Sequence, residues 1–458
     1  QNDFENFQFR SIKEGISKRA VSSIVQDHNG YIWIGTNGAG LYKYDGINYV
    51  VYEYNWSIPK SINSNLIYAV YVDSHNKLWV GTEEGLCLYD RDLNRFETID
   101  LKKVLKLNSN STVTVRSLIE DNAGNLLIGT YEYGLLKLNL KTLKVAIVNF
   151  DIAQNSDLLI SSFAKDKQGK VFLASNYGLK YYDTKKNVIH QAVFSGSGTK
   201  FKITDSLESL FFDENDDLWI GTTGKGLLKV SKNDRGYQLN SFSITSKRIL
   251  AVVGINTKNI LCATENDGLL LINNSGVLVK NYLANKFEKN ALKSNSIWSL
   301  LKDNENRIWL GYYNKGVGVF DKLSSQFNSI ERLLNNPNSL QTSSVTGIAK
   351  DFSGKFWISM EGGGVDVYDS KTKKFIHINN YDSSFLSGLT NNNVQTVFID
   401  SKQNVWLGTW NDGIFFLKKG SKNFVNYNIR NTKGLSSDRV LSFAEDSEGN
   451  IWIGTFLK

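Results

Sequence analysis

The apolar positions of this chain alternate over short stretches. In residues 31–36, Ile32 and Ile34 share one face while Tyr31, Trp33 and Gly35 share the other, the period-two spacing of a strand. Residues 21–26 are rich in β-branched side chains and predict a strand before it. Between the two, Asp27-His28-Asn29-Gly30 predicts a tight turn, with Asp accepting backbone N–H bonds and Gly supplying a positive φ. Residues 41–44 predict a third strand, Asp45-Gly46 a hairpin and residues 49–54 a fourth strand.

This unit recurs ten times. Aligning Gly35 of Ile-Gly-Thr places its equivalents at 81, 129, 174, 221, 263, 311, 359, 408 and 454, with Ala174, Ala263 and Ser359 as small substitutes. Eight residues upstream stands an Asp in every copy but the sixth, which has Ile255. Steps of 42 to 49 residues match one four-stranded propeller blade per repeat. The Trp33 slot reads Trp79, Leu127, Phe172, Trp219, Leu261, Trp309, Trp357, Trp406 and Trp452 in later copies. A large flat residue suits the gap between neighbouring blades, and the following Gly permits their close approach. Residues repeated in this way are expected to build the ring rather than to carry chemistry.

The fold class expected is therefore all-β: a seven-bladed β-propeller followed by an incomplete second β-propeller. Residues 1–325 would form the first, closed by an N-terminal strand around residues 7–12 that completes blade seven. Residues 326–458 would form the first three blades of the second, the last incomplete. The stop at Phe456-Leu457-Lys458, just after the second strand of a unit, suggests a piece of a longer protein.

Composition narrows the function classes. A net charge of +8 over 458 residues, with Lys and Arg dispersed, does not suggest a nucleic-acid reader. No apolar run is long enough to span a bilayer. Cys87 and Cys262 fall in blades that should not touch, so two buried free thiols are expected. The four histidines (His28, His75, His190 and His377) are scattered, no metal or cofactor site is expected, and no nucleophile elbow or phosphate loop stands out. The recurrent Asp and Gly are spaced one residue wider than in the sialidase Asp-box, itself a structural motif.

The Asp-x-x-Gly-x-Ile/Leu-Trp-Ile/Leu-Gly-Thr pattern with its following Gly-Leu, running from Asp27 to Thr455, resembles the two-component regulator propeller repeat. That resemblance implies the periplasmic sensor region of a hybrid two-component system of Gram-negative gut anaerobes. Members of the family carry two propellers, an immunoglobulin-like sandwich, a membrane helix, a histidine kinase, a receiver and a DNA-binding module. The resemblance further implies recognition of polysaccharide-derived oligosaccharides to control glycan-utilisation genes. It also implies a homodimeric receptor tethered to the membrane through a missing C-terminal segment, with kinase activity outside these residues. A protein-binding scaffold and a carbohydrate-active lyase or hydrolase are the alternatives.

Candidate ligand-binding residues are those that break the repeat at the channel mouth. At the start of the first strand, the slot held by Ser22 becomes Tyr68, Arg116, Ser161, Glu208, Leu250 and Trp298. The loops after Gly-Thr add Tyr131, Tyr133, Tyr177, Tyr312 and Trp410. Aromatic faces stack on sugar C–H surfaces while Arg and Glu bond hydroxyls. The candidates are Tyr68, Arg116, Tyr131, Tyr133, Tyr177, Glu208, Trp298, Tyr312 and Trp410. A structural alternative pairs Arg116 with Glu208 or a neighbouring acidic loop.

Overall fold

In nine of the ten repeats one carboxylate organises the turn between the first two strands. Asp27 Oδ1 accepts the backbone N–H of Asn29 and of Tyr31, both at 3.0 Å, which shapes the turn. Its Oδ2 accepts the indole N–H of Trp33 at 2.7 Å. The same latch joins Asp73 to Trp79, Asp213 to Trp219 and Asp303 to Trp309 at 2.7–2.9 Å. Where Leu127 replaces the Trp, Asn125 donates its side-chain N–H to Asp121 instead, at 3.0 Å. Where Ile255 replaces the Asp, Leu261 replaces the Trp, so both halves of the latch are lost together. The Trp and Asp repeats are thus structural.

The computed structural model describes residues 9–11, 16, 18–108, 110–151, 158–196, 198–285, 290–322, 330–333, 336–381 and 385–456. The fold is all-β, as expected; Leu101–Leu105 is the one α-helix among the described residues, and no helix there is long and apolar enough to cross a membrane. The chain divides into two units, Gln1–Gln326 and Phe327–Lys458. The expected boundary at 325/326, and residues 7, 8 and 12 of the expected closing strand, lie outside the described residues.

In the first unit, seven sheets are ordered by sequence, and the innermost strand of each neighbours that of the next. These strands are Val21–Gln26, Ile67–Val72, Val115–Glu120, Ile160–Lys165, Leu207–Phe212, Ile249–Asn256 and Ile297–Lys302. The last lies beside the first, where Ser299 Oγ donates to the carbonyl of Val21 at 3.3 Å, so the ring closes. The last sheet takes its outer strand from the other end of the chain: Phe9–Ser11 runs antiparallel to Val317–Phe320. Phe9 is buried there against Tyr282, with ring centroids 5.8 Å apart.

Close approach between sheets explains the repeated glycine. A Cβ on Gly35 would lie 2.7 Å from Ile67 Cγ2 of the next sheet, and one on Gly81 would lie 2.6 Å from Val115 Cγ1. Two sheets exceed four strands. The fourth gains Asn149–Phe150 as a parallel strand, and the fifth gains the hairpin Val193–Gly196 and Thr199–Lys202. Cys87 and Cys262 are buried free thiols, as expected.

In the second unit, Val345–Lys350 and Val394–Ile399 begin two four-stranded sheets, and Val440–Glu445 pairs with Ile451–Thr455. Its first sheet replaces a core position with Asp366, which is fully buried and bonded to His377 Nδ1 at 2.7 Å and to Gln341 Nε2 at 2.8 Å.

Candidate functional site

Every sheet of the first unit carries a β-bulge at the same place. Val21 pairs with Thr36 and Ser23 with Gly35, so Ser22 is the extra residue of its strand. The equivalent extra residues are Tyr68, Arg116, Ser161, Glu208, Leu250 and Trp298. A bulge leaves its extra residue unpaired and re-aims its side chain. All seven line one cavity of about 280 Å³, joined by Asn37 and Arg248. That is near the lower end of small-molecule sites, roughly 300–1,000 Å³.

Two larger surface grooves, each about 570 Å³, are lined by groups already at work in the fold. In one, Asp100 caps the short helix and Lys102 pairs with Glu84; in the other, Glu120 accepts from both the backbone and the hydroxyl of Ser74.

The seven bulge residues do not do the same job. Ser22 and Ser161 donate to the first strand of the next sheet, at the carbonyls of Ile67 (2.5 Å) and Leu207 (2.8 Å). In the third, fifth and seventh sheets this bond moves one residue along. Ser117, Ser209 and Ser299 donate to the carbonyls of Ile160, Ile249 and Val21 at 3.0, 2.9 and 3.3 Å. The bulge positions so relieved are Arg116, Glu208 and Trp298, the three with the most binding chemistry. In those sheets the ring is stitched without them.

Electrostatics inside the cavity are uneven. Glu208 accepts from Arg248 Nε at 2.9 Å, a bond that raises the Arg248 pKa, and Arg248 also reaches Glu265 at 3.8 Å. The alternative pairing of Arg116 with Glu208 is therefore not the one formed. Arg116 instead sits over the Tyr68 ring, 4.8 Å from its centroid, and burial pulls its pKa down. Trp298 packs on Tyr313, with centroids 4.9 Å apart.

Of the nine candidates, Tyr68, Arg116, Glu208 and Trp298 line this cavity. Tyr131 and Tyr177 are exposed loop residues outside its lining, and Tyr133 packs against the core below. Trp410 belongs to the second unit, where it packs on Phe456 and Arg439.

Tyr312 is a correction: it is completely buried and unavailable to a ligand. It occupies the position of Thr36, whose hydroxyl donates to the carbonyl of Gly40 at 2.7 Å. Its ring is accommodated because Gly318, on the adjacent strand, has no side chain; a Cβ there would lie 2.7 Å from the phenolic oxygen.

Arg248 escaped the sequence argument. Its equivalents are Ala20, Leu66, Thr114, Leu159, Ser206 and Ser296, so a charge alone in an uncharged column was the available signal.

A family model described as the two component regulator propeller matches residues 15–38, 61–84, 291–314, 388–411 and 434–456. Every matched segment contains a latched Asp–Trp pair. These five segments are similar to two-component regulator propeller repeats. A relative with such likeness is histidine kinase P4 of Formosa agariphila, 26% identical over 366 residues, covering 76% of this chain and 26% of that protein.

Among solved structures, the extracellular domain of the hybrid two-component system BT3049 from B. thetaiotaomicron is 21% identical with a TM-score of 0.57, covering 98% of this chain and 64% of that one. The corresponding domain of BT4673 from the same organism is 22% identical with a TM-score of 0.55, covering 98% and 57%. The chain thus spans under two-thirds of each of these relatives. Virginiamycin B lyase from Staphylococcus aureus, 11% identical with a TM-score of 0.52 over 69% of this chain and 99% of that one, shares the fold.

Proposed function

We propose that this chain is part of the extracytoplasmic sensing region of a hybrid two-component receptor, and that the cavity of its first unit binds a polysaccharide-derived oligosaccharide. The observation carrying this reading is the convergence of bulge residues. Arg116, Glu208 and Trp298 reach one cavity while neighbouring serines take over the sheet-to-sheet bonds. Trp298 offers an aromatic face to a sugar ring, and Asn37, Glu208 and Arg248 offer hydroxyl partners around it. The propeller-repeat match and the histidine kinase relative support the receptor context.

In the intact receptor this region would sit in the periplasm as a homodimer, tethered by a membrane segment beyond these residues and coupled to a kinase that controls glycan-utilisation genes. Ligand shifts such a receptor only by binding one arrangement better than another.

A thermal-shift screen against neutral and acidic oligosaccharides, with products checked by mass, tests the reading. A specific rise in melting temperature that Trp298→Ala removes supports it. Cleavage of a panel member would instead indicate a lyase or hydrolase. No shift with any saccharide would favour a protein-binding scaffold.

A further inference from the structure

The cavity contains one cation, Arg116, that forms no ion pair among the described residues, although the charge of Glu208 still acts on it. Its lining carboxylate, Glu208, is bonded to Arg248. Arg116, in the third of seven sheets, has no carboxylate within ion-pairing distance and donates no hydrogen bond among the described residues; its Nε is buried without a partner. A guanidinium withdrawn from water without an anion is unfavourable, and an aromatic face replaces a counter-ion only in part.

No structural duty accounts for the residue. The bond to the next sheet at this position is made by Ser117, and the repeat places serine or leucine in the same slot elsewhere. An arginine fork is shaped for the two oxygens of a carboxylate or sulfate. Trp298 lies in the seventh sheet, across the ring from Arg116, so a ligand can touch both ends of the cavity.

Resting on the oligosaccharide reading above, we propose that the ligand is acidic: an oxyanion, carboxylate or sulfate, docks on Arg116 while a sugar ring lies against Trp298. Arg248 is already neutralised by Glu208, which makes Arg116 the charge that selects for the anion.

Isothermal titration of the full chain tests this with three probes: tri-galacturonate, the neutral galactotriose and a sulfated disaccharide. At least one acidic probe should bind more tightly than galactotriose, and whichever binds names the oxyanion. Arg116→Gln should weaken that probe by about 10- to 100-fold, the range for losing a charged hydrogen bond. Arg116→Lys should weaken it less, since charge persists without the fork. Arg116→Gln should also keep the wild-type melting temperature, because it removes a charge that lacks a counter-ion.

An acidic probe that binds equally well to Arg116→Gln overturns the proposal. So does a melting temperature well below wild type, which would reveal a structural role. Galactotriose binding more tightly than both acidic probes, with sensitivity to Trp298→Ala alone, overturns the oxyanion and leaves the oligosaccharide reading standing. Failure of all three probes counts against both.

Discussion

Replacing Asp73 by alanine should destabilise the first unit more than the same change at Asp166, because only Asp73 is buried and bonded to an indole. Both carboxylates shape a turn through two backbone N–H groups: His75 and Lys77 at 2.9 Å for Asp73, Gln168 and Lys170 at 3.0 and 2.8 Å for Asp166. Only Asp73 also accepts an indole N–H, from Trp79 at 2.9 Å; the fourth sheet has Phe172 in that slot. Trp79 is fully buried, so Asp73→Ala strands a donor that water cannot reach.

Such an orphan costs about 1–3 kcal/mol, over and above the turn bonds lost in both variants. Urea unfolding followed by far-UV circular dichroism should therefore separate the two variants by about 1–3 kcal/mol. A double-mutant cycle with Trp79→Phe should return a coupling energy in the same range, because phenylalanine leaves nothing to satisfy. Equal losses in the two alanine variants, or coupling near zero, would refute the latch as an energetic element.

Other expectations follow from individual contacts. His377 Nε2 lies 2.7 Å from the carbonyl of Pro337 and Nδ1 lies 2.7 Å from Asp366, and both contacts favour the protonated ring. Burial opposes that charge, but the bonds to Asp366 and Pro337 outweigh it and raise the pKa. Its contribution is therefore fully present below the unfolded pKa of about 6.5 and lost as pH rises through the higher folded value. The stability gap between wild type and His377→Gln should shrink over that rise; a gap that widened would be contrary. Gly318→Ala should cost about 1–3 kcal/mol by crowding Tyr312, and Tyr312→Thr should relieve it, measured by thermal melting. Cys87, whose thiol burial pushes up to about 11, and Cys262, raised by burial as well, should both resist Ellman's reagent until urea is added.

Much of the cavity lining was legible in one column of the repeat and little of it in the loops. The column works because each repeat places its bulge at the same step, so Tyr68, Arg116, Glu208 and Trp298 must face the same axis. Loops after Gly-Thr differ in length and turn, so an aromatic there points wherever its own contacts direct it. Tyr177 is exposed and Tyr133 is held against the core.

The repeat period, the alternation of faces and the six-residue spacing from Asp to Trp are local properties written ten times over, and they sufficed for an all-β propeller class with structural Asp and Trp. Three things depended on residues far apart in the chain meeting in space. Glu208 takes Arg248 rather than Arg116 because the start of the sixth sheet lies beside it. Tyr312 turns into the core because a neighbouring strand supplies Gly318. Seven bulges enclose a single cavity only because the last innermost strand returns to the first, which no single repeat encodes.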